Sequence, residues 1–134
     1  MPKHIKWRWA SLIILLLIFW FSSRNASQST MQSDSFLFLF PFLQEDTARF
    51  VIRKLAHFTI YTLLGFCVYR SFKEPCSIRA FGIAILFCFL YACTDEFHQF
   101  FIAGRSAQFR DVLIDTCGAF VGQCLSYISM KKWG

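Results

Sequence analysis

Charge is what this sequence has least of. Only 16% of its 134 residues are Asp, Glu, Lys or Arg, against roughly 25% in an average soluble domain. Fully 56% are hydrophobic. A soluble fold this small buries only about two-thirds of its chain surface, so such a composition would leave large apolar patches in water. The 18 Phe residues are spread along the whole chain and mark no single core. A soluble globular class is thereby excluded, and an integral membrane class is implied.

Other absences narrow the chemistry. The six Cys residues (67, 76, 88, 93, 117 and 124) include no Cys-x-x-Cys pair, and most lie in apolar runs. There a thiol acts as a small apolar side chain, which argues against a disulfide framework or a zinc site. No Gly-x-Ser-x-Gly elbow, Gly-rich phosphate loop or His-x-x-x-His pair occurs, so serine hydrolases, P-loop enzymes and helical metal signatures lose their usual markers. No internal repeat is visible. The net charge of +6 would suit nucleic acid, but the basic residues flank the apolar runs instead of clustering. Such placement reads as topology signals and anionic-lipid contact, with no nucleic-acid partner.

What is present is a succession of spans. Basic Lys3 to Arg8 leads into the apolar run Ser11–Phe21, which reads as a first transmembrane helix with Trp7, Trp9 and Trp20 at the interfaces. The bulky Phe19-Trp20-Phe21 end makes a poor signal-peptidase site. Ser22–Gln32 is polar and reads as a loop. Phe36–Leu43, broken by Pro41, is too short to cross about 30 Å of hydrocarbon. It is expected to be an interfacial or re-entrant segment, either a lipid-facing anchor or a cover for a polar site. Further spans are predicted over roughly Phe50–Tyr69, Ser77–Thr94 and Asp111–Met130. In the last, Gly118 and Gly122 form a Gly-x-x-x-Gly pair that admits a neighbouring backbone. The fold class is all-α: one four-helix membrane bundle over 1–134, with its motifs between about 50 and 125. The Lys and Arg bias puts both termini in the cytoplasm.

In that topology the ionisable residues at membrane depth converge on one leaflet, the outer one. Lys54, His57 and Tyr61 share one helix face; Asp95 aligns with His98 and Gln99, and Asp111 with Asp115. Charged stripes inside membrane helices usually face inward and pair. Glu96 reads either as a solvated acid at a helix end or as a proton carrier, and Asp111 either as a helix cap or as part of the cluster. Two chemistries fit. His57, Asp95, His98 and Asp115 carry metal-ligating atoms but no ligand signature, so no metal is assigned. Lys54, Arg105 and Arg110 suit a phosphate or carboxylate, with His57 and an acid moving protons. The anion-binding reading is favoured.

These residues carry a family resemblance. Arg53-Lys54-Leu55-Ala56-His57-Phe58-Thr59-Ile60-Tyr61 with Leu64-Gly65, then Asp95-Glu96-Phe97-His98-Gln99-Phe100-Phe101, Gly104-Arg105-Ser106 and the run Asp111 to Gly122 together resemble the VanZ-like membrane family. Ala103 departs from it, since the family often has Pro there, and this bears on the loop's rigidity. The resemblance implies a small multi-pass protein of Gram-positive-type cell membranes. The family takes its name from a protein that raises resistance to the glycopeptide teicoplanin, and it attaches no catalytic role to these positions. The expected function is an envelope protein that binds or modifies an anionic lipid or cell-wall precursor. The alternatives are a membrane hydrolase or transferase using His57 with Asp95 or Glu96, and a bundle whose polar cluster only holds helices together. No cofactor is assigned.

Overall fold

Each long apolar run becomes a helix, because in lipid the backbone must satisfy its own hydrogen bonds. The computed structural model describes residues 1–74 and 76–133. Its helices are α1 (Lys3–Ser22), α2 (Ala26–Asp34), α3 (Glu45–Arg70), α4 (Ile78–Phe100) and α5 (Phe109–Trp133), with one 3₁₀ turn at Leu37–Leu39. Four of them, α1, α3, α4 and α5, are long and apolar enough to cross a membrane. The all-α, four-span reading therefore holds.

Helix ends follow local rules. Ser77 caps α4 by accepting from Ala80 N at 3.0 Å. Glu45 and Asp46 occupy the first turn of α3 and Arg70 its last, matching the helix dipole. Leucines 12, 16, 63, 86, 90 and 125 stay exposed on the outer faces, whereas Leu64, Ala84, Cys88, Ala92 and Ala119 are fully buried between helices.

The most extensive packing is of α3 against α5, and small residues set its closeness. A Cβ added at Gly65 would stand 2.1 Å from Ala119 O, one at Gly118 2.5 Å from Phe58 O, and one at Gly122 1.9 Å from Thr62 O. The Gly-x-x-x-Gly pair thus lets two backbones touch.

One connection differs from expectation. Ser22–Gln32 is not a loop: Ser22 ends α1, and Ala26–Asp34 is helical. An Asn25–Gln28 capping box starts α2, with Gln28 N donating to Asn25 Oδ1 (2.9 Å) and Asn25 N to Gln28 Oε1 (3.2 Å). At its far end Asp34 meets Arg49 Nε at 2.5 Å, tying α2 to α3. Phe36–Leu43 holds the 3₁₀ turn, with Phe38 72% and Phe42 78% exposed. The third span also runs past Thr94 to Phe100, so the Asp95–Gln99 motif is helical throughout.

Candidate functional site

The polar site lies where the end of α1, the first half of α3, the end of α4 and the start of α5 converge. On α3, Arg53, Lys54, His57 and Tyr61 recur at helical spacing and turn inward together. On α5, Asp111 and Asp115 lie one turn apart. Between α4 and α5, the loop carrying Gly104 and Arg105 is tied to the α1–α2 connection. Ala26 N donates to Ala103 O at 3.2 Å, and Arg105 Nη1 donates to Arg24 O at 3.2 Å. Gly104 is required there twice over. Its φ is +73°, a left-handed backbone that L side chains avoid, and a Cβ would lie 2.8 Å from Ala26 Cβ.

At the bottom of the site are three groups. His57 Nδ1 faces Asp115 Oδ1 at 3.5 Å, and one ligand-type atom from each of His57, Asp95 and Asp115 lies within 4.8 Å of the others. Asp95 is held by Ser22 Oγ–H at one oxygen and by Tyr61 O–H at the other, 3.3 Å away. Gln99 Nε2 donates in turn to Ser22 Oγ at 3.3 Å. Asp95, Asp115 and Gln99 are all buried.

Above them opens a polar cavity of about 250 Å³ lined by Arg53, Lys54, His57, Gln99, Arg105 and Asp115, among others. A second, mostly apolar cavity of about 550 Å³ adjoins it between α1, α2 and α3, and includes Ile18, Phe21, Phe36, Ile52 and Ile60. Arg53, His57 and Arg105 line both. Lys54 is ion-paired with Asp111. Among the described residues, no carboxylate lies within ion-pair distance of Arg53 or Arg105. Burial lowers the Arg105 guanidinium from its ordinary value, Arg53 adds to that, and Asp95, Glu96 and Asp111 oppose it. An arginine so placed stays charged.

Of the sequence candidates, the structure brings together Lys54, His57, Tyr61, Asp95, Gln99, Arg105, Asp111 and Asp115. His98 stands apart: its ring stacks on Phe19 at 4.8 Å, and its Nε2 lies 3.0 Å from Ser23 Oγ. Glu96 is not a solvated acid. It is 5% exposed and accepts from Gln108 N at 3.0 Å, capping the start of α5 from the neighbouring helix. It does not join His57, whose carboxylate partners are Asp115 and Asp95. Asp111 sits within the first turn of α5 and is ion-paired with Lys54. Arg110 lies outside, bonded to Gln108 Oε1 at 3.0 Å.

Two participants stand outside the polar stripes named from spacing alone. Arg53 lies four residues before His57, so the same spacing rule that linked Lys54, His57 and Tyr61 selects it. Ser22, assigned to a loop, is a buried partner of Asp95; only its position at the end of an apolar run hinted at this. The Phe36–Leu43 run contributes Phe36 alone to the apolar cavity, and α2 supplies more of its cover through Ser29, Gln32 and Ser33.

A family model described as VanZ/LLP1 matches residues 8–130, which contain every group of the site. No curated protein and no solved structure matches the chain.

Proposed function

We propose, on the premise that the chain belongs to the VanZ/LLP1 family, that this membrane protein binds an anionic amphiphile. The ligand is a phosphate carried on a long apolar chain. One observation carries the reading: a polar and an apolar cavity meet at Arg53, His57 and Arg105. A phosphate beside Arg53 and Arg105 would gain charge-assisted bonds, while its tail occupies the larger apolar space under α2. Lys54, already paired with Asp111, tunes the field more than it grips the ligand.

Two lipids share this chemistry, a membrane glycerophospholipid and a lipid-linked cell-wall precursor. With the Lys and Arg bias of the sequence the cavity opens to the outer leaflet of the cell membrane, and both termini are cytoplasmic. The resemblance to VanZ supports the finer reading, a change in glycopeptide sensitivity through the bound envelope lipid. The test is native mass spectrometry of the purified protein. A co-purifying phosphate-bearing lipid is expected, identified by mass as glycerophospholipid or polyprenyl phosphate, and depleted in Arg53→Ala and Arg105→Ala. Wild-type protein free of any such lipid, or retention unchanged in both variants, overturns the proposal.

A second reading, an enzyme acting on that same lipid, is favoured by His57 facing Asp115 at 3.5 Å in the polar cavity, where an imidazole backed by a carboxylate suits proton transfer. Turnover of a lipid phosphate, lost in His57→Ala with lipid retention intact, supports it. Turnover that survives both His57→Ala and Asp95→Asn removes it.

A further inference from the structure

Asp115 is the most anomalous side chain in the protein. It is 1% exposed, yet neither carboxylate oxygen has a hydrogen-bond partner. Its nearest donor, His57 Nδ1, stands at 3.5 Å, beyond the usual N–H···O reach of about 3.2 Å. A buried carboxylate left like this is costly. The nearby cations act on it only from a distance: Lys54 is ion-paired with Asp111, and Arg105 makes no ion pair with it and donates to Arg24 O. Asp95, also buried, adds a second negative charge within 4.8 Å.

We infer that His57 Nδ1, an Asp95 oxygen and an Asp115 oxygen form a binding site for one divalent transition-metal ion of the Mn²⁺ or Zn²⁺ class. Two carboxylates and a neutral imidazole carry two negative charges, which one such ion balances. Ligand atoms about 2.1 Å from a shared ion are roughly 3–3.5 Å apart, so the widest separation in the 4.8 Å cluster has about 1.3–1.8 Å to close. His57, with a quarter of its side chain exposed, has room to make that movement. The imidazole disfavours Ca²⁺ and Mg²⁺, which prefer all-oxygen shells.

The surroundings suit the role. Ser22 and Tyr61 each donate to Asp95 and leave lone pairs on both oxygens, as the outer shell of a metal carboxylate does. The polar cavity reaches His57 and Asp115 and supplies an entry path, with space for water to complete the coordination. The site is independent of the lipid reading, since the ion needs none of Arg53, Lys54 or Arg105.

The test uses the full-length protein in detergent, stripped with chelator and titrated with Mn²⁺ alone, followed by electron paramagnetic resonance. One Mn²⁺ per chain is expected, with nitrogen modulation in the echo from the directly bound imidazole and displacement by Zn²⁺. His57→Gln should abolish the nitrogen signal, and Asp115→Asn should weaken binding at least about tenfold. Size exclusion and circular dichroism check each variant. If Asp115→Asn fails to fold, Asp95→Asn and the rim variant His57→Gln carry the comparison. Absence of a stoichiometric Mn²⁺ or Zn²⁺ site in wild type, or affinity and nitrogen modulation that survive the substitutions, overturns the inference.

Discussion

Substituting Gly122 by Ala puts a methyl group where two helix backbones already touch. The new Cβ would lie 1.9 Å from Thr62 O, 2.8 Å from Thr62 C and 2.9 Å from Phe66 N. Ordinary contact begins at 3.4 Å, so the gap to be opened is about 1.5 Å, the difference between 3.4 and 1.9 Å. The obstructing atoms are backbone, and no rotamer change relieves them. Overpacking costs about 1–3 kcal/mol, and the upper end applies here. Ala regains about 1 kcal/mol over Gly in a helix interior. The net loss is about 2 kcal/mol, roughly a thirtyfold fall in the folded-to-unfolded ratio. Gly82→Ala supplies the control of opposite sign, because nothing lies within 4 Å of its added Cβ; it should stabilise by about 0.5–1 kcal/mol. The assay is SDS titration of each variant in mixed micelles, followed by circular dichroism. Gly122→Ala unfolding at or above the wild-type SDS fraction, with Gly82→Ala stabilised as expected, refutes the close approach of α3 and α5. The same separation would draw His57 away from Asp115, so Gly122→Ala should also weaken Mn²⁺ binding.

Three further outcomes are expected. Lys54 and Asp111, 24% and 16% exposed at the side chain, should show a coupling of about 1 kcal/mol in a double-alanine cycle, read by the same titration. Gly104→Ala combines a left-handed φ with a 2.8 Å clash on Ala26 Cβ; it should cost about 1–3 kcal/mol and deplete the co-purified lipid by displacing Arg105. Arg105→Lys tests burial directly. Burial lowers a cation at this position, and a lysine starts from about 10.4, so its charged form is lost as pH rises. Lipid retention by Arg105→Lys should therefore fall as the pH is raised toward the lysine range, at a lower pH than any loss in wild type.

The spans were legible because each is an apolar run of sufficient length, and the Gly-x-x-x-Gly spacing correctly marked the close pair. Helix α2 was not legible, because Ala26–Asp34 has no apolar periodicity. Its one signal, Asn25 three residues before Gln28, is a capping box without the apolar run that usually follows. Within the site, helical spacing found the shared face of Lys54, His57 and Tyr61 but could not choose partners across helices. Asp95 and His98 sit on neighbouring parts of α4, yet Ser22 takes one and Ser23 with Phe19 the other. Glu96, one position round the helix, points to the start of α5. Such choices depend on how neighbouring helices rotate about their axes, which short-range periodicity does not encode.

The pairing of α3 with α5 also has a meaning in time. His57 enters the bilayer on the second span, while Asp115 arrives only with the fourth, after the intervening α4 has been synthesised and inserted. Until then the deep groups of α3 and α4 face lipid or translocon without their main counterpart, and the glycine surface of α5 has yet to seat against Phe58 and Thr62. Helix α5 therefore completes the site, and a chain interrupted before it would enter the membrane without forming the His57–Asp115 pair.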